Sequence, residues 1–294
     1  MTYKKATVIA ELGCVHAGKM DRAKMLIGLA AKCGADVVKF QKRNPKECVP
    51  KEWWDKPHPN LAFAYGETYL KHRINLELSQ DQHADLKKCC EDNGVIYSTS
   101  VWDMTSAKEI IALNPSFIKI PSACNNNREL IDYIYENYKG EVHISLGMTS
   151  PSGRKSIYIN FFFNNPLRTI LYHCTSGYPV PFEKLYLMEI DKMRKICYAQ
   201  EYIEHDGIDR RVGFSNHGYG IAADIAAYML GATHIERHFV DDRMFPHSDS
   251  SASLEPQGLT KLCRDLENVY LSLKNKPMDI DEMEKEQMNK LRNH

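Results

Sequence analysis

Eight short apolar runs, rich in β-branched residues and each followed by an amphipathic stretch, constrain this chain more than any other feature. They occupy residues 7–12, 36–41, 96–101, 117–121, 142–146, 169–174, 211–215 and 234–239. Runs that stay apolar rather than alternating belong to strands buried on both faces. Between them lie helical patterns. Residues 21–33 put Ala23, Leu26, Ile27, Ala30 and Ala31 on one helical face, with Gly34 placed to end the helix. Ser79 reads as the N-cap of a helix running to about residue 92, with Gly94 just beyond. Residues 106–113, 128–138, 187–203, 221–230 and 256–273 complete the set, whereas 151–165 reads poorly as a helix. Strict β-then-α alternation implies a parallel sheet, and eight repeats predict a closed (β/α)8 barrel, the TIM-barrel arrangement.

A single α/β barrel domain over residues 1–275 is therefore expected, long enough to bury its core without disulfides or metals. Residues 44–75, with Trp53, Trp54, Pro57 and Pro59, form a long insertion after the second strand. A loop of that length reads as a lid or substrate wall, or equally as an oligomer contact. Residues 276–294 form a charged tail, expected as a peripheral helix or as disordered chain.

Lysine plus arginine (38) balance aspartate plus glutamate (38), so no overall charge recruits nucleic acid or an anionic membrane. The apolar run before Glu11 is too short for a signal peptide or a membrane span. Nine scattered cysteines without a C-x-x-C pair read as free thiols in a reducing cytosol, so a cytoplasmic location is expected.

In such a barrel the chemistry sits at the C-terminal strand ends and the loops that follow them. Polar residues collect there: Glu11 on the first strand, Lys39 and Gln41 on the second, Ser98-Thr99-Ser100 on the third, and Lys119 with Ser122 on the fourth. Ser145 follows on the fifth, His173, Ser176 and Tyr178 on the sixth, Ser215-Asn216-His217 on the seventh, and Glu236-Arg237-His238 on the eighth. A lysine inside an apolar strand is rare without a partner or a task. Two of them, Lys39 and Lys119, together with hydroxyls suit a phosphate or carboxylate, the bland alternative being structural ion pairs. His217 and His238 end adjacent strands and could converge on one metal ion, for which a carboxylate such as Glu236 would favour Mn²⁺ or Mg²⁺. Either histidine could instead be a hydrogen-bonded core residue, and His16, His173, His234 and His247 read as bystanders.

Taken in order, these stretches resemble the sialic acid synthase family, the synthases of N-acetylneuraminate and related nonulosonates. The resemblance is carried by Ala10-Glu11-Leu12-Gly13 with His16 and Gly18, by Gly34 to Gln41, by Lys119-Ile120-Pro121-Ser122 with Cys124-Asn125-Asn126, and by Ser145-Leu146-Gly147-Met148. It continues through His173 to Pro179, Gly213-Phe214-Ser215-Asn216-His217, Glu236-Arg237-His238-Phe239 and Asp249 with Ser253 to Pro256. It implies a transferase that condenses phosphoenolpyruvate with an open-chain sugar aldehyde, N-acetylmannosamine or a related hexose derivative. The product would be a 2-keto-3-deoxy sugar acid for a surface polysaccharide, released with phosphate by C–O cleavage. By that resemblance Lys39, Lys119, Ser122, Ser145, Ser176 and Ser215 hold phosphoenolpyruvate, Gln41, Asn60, Tyr178 and Asp249 face the sugar, and Glu236 joins the substrate set. His217 and His238 bind a divalent metal, Mn²⁺ first, with Mg²⁺ or Co²⁺ as alternatives. Glu11 stabilises the oxocarbenium-like C2 and helps activate water.

The sequence also departs from the family pattern. No C-terminal antifreeze-like domain follows the barrel, so the expected unit is a homodimer of barrels or a barrel completed by a separate chain. Asn216 replaces the usual aspartate before the first metal histidine, Tyr186 stands where asparagine is common, and Cys14 and Ala17 depart from the N-terminal motif. The alternatives are a shorter 3-deoxy-ulosonate phosphate synthase, for which Arg237 or Arg243 would bind the sugar phosphate, a pyruvate-dependent metal aldolase, or a sugar-binding barrel without activity.

Overall fold

The computed structural model describes residues 3–198 and 211–292. Eight parallel strands close into a barrel in sequence order, the first pairing with both the second and the eighth. They are β1 (Thr7–Gly13), β2 (Val37–Lys42), β3 (Ile96–Val101), β4 (Phe117–Ile120), β5 (Glu141–Ser145), β6 (Thr169–Cys174), β7 (Val212–Asn216) and β8 (Ala232–His238).

Alternation along each strand divides the buried residues into two clusters. Val8, Ala10, Val38, Phe40, Ile118, Ile144 and Ile235 face outward into a large core shared with the helices. Ile9, Val37, Phe117, Ile170 and Tyr172 form a separate cluster inside the barrel. This apolar plug fills the N-terminal end, and the next inward positions along the same strands are Glu11, Lys39, Lys119 and Cys174. The strands read as apolar throughout because the outward face is greasy everywhere and the inward face only at its base.

The surrounding helices run from α1 (Met20–Lys32), α2 (Pro45–Cys48) and α3 (Tyr69–Leu76) through α4 (Gln80–Asp92), α5 (Met104–Leu113) and α6 (Arg128–Asn137). The remainder are α7 (Pro151–Ile157), α8 (Met188–Tyr198), α9 (Ala222–Met229), α10 (Pro256–Ser272) and α11 (Glu282–Leu291). On α1, Ala23, Leu26, Ile27 and Ala30 are the buried residues, and each fully buried Leu or Ile contributes about 1.5–3 kcal/mol. Ser79 and Gln82 form a reciprocal capping box at the start of α4. The part of the expected 187–203 helix beyond residue 198 lies outside the described residues.

Three segments differ from the sequence reading. Residues 151–157 are helical, started by Ser150, whose side chain accepts from the Gly153 amide, with Pro151 in the first turn. A π-helical turn, Tyr158–Phe162, continues it and buries Tyr158, Phe161 and Phe162, so tertiary burial of aromatics overrides weak propensity. The α5 helix begins earlier than expected, at Met104, because buried Asp103 accepts the Ser106 amide at 2.7 Å. The insertion 44–75 holds α2, two 3₁₀ turns (Lys51–Trp53 and Leu61–Phe63) and most of α3. Side chains of Asn44, Asn60 and Thr68 cap these short pieces, and the Tyr65 hydroxyl donates to the Pro246 carbonyl at 2.9 Å. The insertion is thereby strapped to the loop after β8. Among the described residues no two cysteines are joined by a disulfide. Among the described residues no helix is long and apolar enough to cross a membrane.

Candidate active site

A cavity of about 260 Å³ opens at the C-terminal end of the barrel. Its floor is an array of four buried charged groups contributed by four strands. Lys39 Nζ lies 2.5 Å from Glu11 Oε2 and 3.7 Å from Glu236 Oε1, and it donates to Ser100 Oγ at 2.8 Å. Lys119 Nζ donates to Glu236 Oε2 at 2.8 Å and sits 3.4 Å from the centroid of the Tyr172 ring. Ser215 Oγ donates to Glu236 Oε1 at 3.1 Å, and Gln41 Nε2 donates to Glu11 Oε1 at 2.9 Å. Register explains the convergence: Glu11 pairs with both Lys39 and His238, Ser100 with Lys119, and Ser215 with Glu236.

Two ammonium groups meet two carboxylates, so the array is neutral when both carboxylates are ionised. Burial pushes Glu11 above the ordinary carboxylate range, against the pull of Lys39. Burial acts against the charge of Lys39 too, but Glu11 and Glu236 outweigh it and hold the ammonium on. Lys119 is lowered by burial in spite of Glu236. Glu236 resists its own burial because Lys119 and Lys39 flank it, and it stays well below the usual range. Both lysines thus carry the structural ion pairs that sequence reasoning held as the bland alternative, yet they also line an open cavity. An incoming anion would share them with the glutamates.

Above the array lies a ring of small polar groups. Ser122, Ser145, Ser176 and Ser215 all line the cavity. A Cβ added to Gly147 would meet Ser122 Oγ and Ser176 Oγ at 2.6 Å and Cys174 Sγ at 3.2 Å. Those three groups therefore close around one point that only a glycine leaves clear. The Asn125 amide holds this loop by donating to the carbonyls of Ser145 (2.8 Å) and Gly147 (2.9 Å).

The mouth on the β7–β8 side carries His217 and His238, with ring centroids 5.3 Å apart and Tyr178 against both, at 4.3 and 5.7 Å. His217 Nδ1 donates to the Thr175 carbonyl at 3.1 Å, a pairing that puts its proton on Nδ1 and leaves Nε2 with a lone pair. Buried His238 Nδ1 has no hydrogen-bond partner and lies 3.7 Å from Asp249 Oδ2. Burial lowers His238 to about 4, against the Asp249 charge, so the imidazole is neutral and free to donate electron pairs. Among the described residues no group of three or more His, Cys, Asp or Glu side chains is placed to hold a metal. Burial acts against a charge on His217 too, but Cys174, the Thr175 carbonyl and Glu236 outweigh it and raise its affinity for a proton. The two imidazoles, one of them with an orphaned nitrogen, fit a divalent ion whose remaining positions go to water and substrate. Glu236 adds nothing to that pair, since its oxygens are taken by Lys119, Lys39 and Ser215.

Of the residues picked out in the sequence, Glu11, Lys39, Gln41, Lys119, the four serines, Tyr178, Glu236 and both histidines line the cavity. Asp249 stands at its edge, where a Cβ on Gly13 would meet Asp249 Oδ2 at 3.1 Å and Gln41 Nε2 at 3.2 Å. Asn60 does not reach it: its exposed side chain accepts from the Ala62 amide and caps a turn in the strap. Arg237 is fully buried on the outside of the barrel against Asp224 at 2.6 Å, and Arg243 is a half-exposed partner of Glu255. Neither lines this cavity as a cation for a sugar phosphate. Ser100, named at the polar end of the third strand but given no role, lines it too, as do Trp102, Met148 and Cys174, which were missed as site residues. Inward parity from Lys119 through its register partner Ser100, and from Tyr172 to Cys174, was the signal available for two of them.

The NeuB family model matches residues 26–277 of the chain. The N-acetylneuraminate-9-phosphate synthase of Homo sapiens is 34% identical over 266 residues, spanning 90% of this chain and 70% of the relative. The N,N'-diacetyllegionaminic acid synthase of Campylobacter jejuni is 31% identical over 92% of this chain and 78% of its own length. In fold, the structure resembles the N-acetylneuraminic acid (sialic acid) synthetase of Leptospira borgpetersenii, with a TM-score of 0.78 at 23% identity, covering 99% of this chain and 94% of that one. With a closed eight-stranded barrel and a family match over most of its length, the chain belongs to the NeuB family of sialic acid synthases.

Proposed function

We propose that this chain condenses phosphoenolpyruvate with an open-chain sugar aldehyde of the N-acetylmannosamine type, releasing a 2-keto-3-deoxy sugar acid and phosphate. The observation that carries the reading is the buried array of Glu11, Lys39, Glu236 and Lys119 beneath a serine-lined cavity whose mouth holds two histidines side by side. Lys39, Lys119, Ser122, Ser145, Ser176 and Ser215 suit the phosphate and carboxylate of phosphoenolpyruvate. Two lysines serve a small substrate charged at both ends. Gln41, Tyr178 and Asp249 stand toward the mouth, where the aldehyde would enter.

The reaction forms one C–C bond and breaks one C–O bond. Carbon 3 of the enol phosphate attacks the aldehyde carbon, leaving C2, still bonded to the phosphate oxygen, electron-poor and the aldehyde oxygen an alkoxide that takes up a proton. Glu11, close to Gln41 and Lys39, faces that positive charge as a carboxylate and accepts a proton from the water that adds to C2. Its raised affinity for protons suits that step. The tetrahedral C2 then expels phosphate, and the hydroxyl collapses to the ketone. His217 and His238 would hold a divalent ion, which we assign as Mn²⁺. When bound, the ion polarises the aldehyde oxygen as a Lewis acid.

The test is phosphate release from phosphoenolpyruvate with Mn²⁺ across mannosamine derivatives, hexoses and pentose phosphates, with His217→Ala and metal-stripped protein alongside. Sugar-dependent release lost in both controls is the expected result. Folded, metal-binding protein that releases no phosphate with any of these sugars would overturn the reading.

A further inference from the structure

Behind the two histidines, on the outer face of the barrel, lies a second buried polar network whose side chains are not among those lining the cavity. Asn216 and Arg237 are register partners on β7 and β8. Alternation turns both outward while Ser215, Glu236 and the two histidines line the cavity. Arg237 Nη1 donates to the Gly220 carbonyl and to Asp224 Oδ2, both at 2.6 Å, and Nη2 donates to the Gly218 carbonyl at 2.8 Å. Asp224, fully buried on α9, accepts from Asn216 Nδ2 at 2.8 Å. Asn216 Oδ1 in turn accepts from the Gly218 amide at 2.7 Å.

The residues on either side of His217 are therefore tied to one ion pair, and the His217 carbonyl accepts from the Val180 amide at 3.0 Å. A planar guanidinium can hold three acceptors in a fixed fork, which an ammonium cannot. Buried ion pairs are seldom the cheapest way to stabilise a fold, since apolar groups of similar volume often do as well. A network of this kind directly behind a reactive turn argues for a role in setting geometry.

We infer that Arg237, Asp224 and Asn216 are positioning residues for the two-histidine site, a buried clamp that fixes where the β7–α9 turn presents His217 relative to His238. This rests on the assignment of those histidines as metal ligands. It also accounts for Asn216: an amide can donate to Asp224 and accept from Gly218 at once, and an ionised aspartate there would face a second carboxylate.

The test compares wild type with Asn216→Ala, which leaves the Arg237–Asp224 pair in place, and Arg237→Lys, which keeps the charge and removes the fork. Mn²⁺ affinity is read from the free-ion signal in electron paramagnetic resonance, and phosphoenolpyruvate binding to metal-free protein is read by calorimetry. The clamp predicts that both variants fold, bind Mn²⁺ about 10–100-fold more weakly, and bind phosphoenolpyruvate as wild type does. Unchanged Mn²⁺ affinity in the folded variants overturns the clamp alone. Parallel loss of both ligands marks the residues as merely structural and also overturns it. Wild type that binds no Mn²⁺ overturns the clamp together with the metal assignment. Should Arg237→Lys fail to fold, Asn216→Ala decides.

Discussion

Replacing Lys119 with methionine tests whether the charged array under the cavity is held together by charge balance. In wild type, Lys119 Nζ lies 2.8 Å from Glu236, with Lys39 farther off at 3.7 Å. At an effective dielectric of about 20, the nearer pair attracts by about 6 kcal/mol, and the relief of no longer burying an ammonium offsets part of that. Removing one partner of a buried pair costs about 3–5 kcal/mol. Because Lys39 and Ser215 still reach Glu236, the lower end applies, about 3 kcal/mol at neutral pH. At about 2–4 °C per kcal/mol for a chain of this size, Tm should fall by about 6–12 °C.

The sign with pH follows from Glu236. Its folded value is depressed, so its stabilisation is present above the ordinary carboxylate range and lost as pH falls through the folded value. In Lys119→Met the folded value rises, Glu236 protonates earlier, and the deficit against wild type shrinks between pH 7 and pH 4. Lys119→Met with Glu236→Gln returns the array to neutrality, since Lys39 still faces Glu11 at 2.5 Å. Urea unfolding of both single variants and the double variant at pH 7.5 and pH 5 completes the cycle. A coupling of about 2 kcal/mol or more is expected at pH 7.5. A double variant as unstable as the sum of the two singles would refute the charge-balance argument.

Glu77, largely buried beside the Arg43 amide with its other carboxylate oxygen 3.7 Å from Arg73 Nη2, is raised to about 7, chiefly by burial. A raised carboxyl contributes stability below its unfolded value of about 4.5 and loses it as pH rises through about 7. Glu77→Gln should therefore match wild type at pH 5 and exceed it by up to about 3 kcal/mol at pH 8 in urea unfolding; equal stability at pH 8 would contradict this. Gly147→Ala drives a methyl against Ser122 Oγ and Ser176 Oγ at 2.6 Å. It should raise the KM for phosphoenolpyruvate about 10-fold or more, equivalent to about 1.4 kcal/mol or more, with little change in Tm, and an unchanged KM would show that these hydroxyls do not hold the substrate. Tyr186 takes a left-handed φ of +48° while exposed to solvent. Tyr186→Asn should stabilise the chain by about 0.5–1 kcal/mol, since asparagine tolerates that conformation, and a lower Tm would count against it.

The eight apolar runs settle the architecture because each strand needs greasy residues on its outward face, and that requirement is written into alternate positions such as Val38 with Phe40 and Ile118 with Ile120, while Val37 and Phe117 fill the base of the interior. Strand-end polarity likewise marks Glu11, Lys39, Lys119, His217 and His238, since a charge in an apolar strand has no local explanation. Their partners could not be read from the sequence. Glu11 meets Lys39 and His238 only because barrel closure sets β1 between β2 and β8, and Lys119 meets Glu236 across 117 positions of chain. Tertiary structure alone also sends Arg237 outward to Asp224 rather than inward to a substrate, a matter of strand parity and of what α9 offers behind it. The strap over residues 44–75 and the turn at Tyr158–Phe162 carry no periodicity long enough to announce a helix. They are ordered by side-chain caps and by aromatic burial against residues distant in sequence, such as Tyr65 on Pro246. Local pattern determined which residues are strands and which strand ends carry chemistry; closure of the barrel decided which of those groups touch.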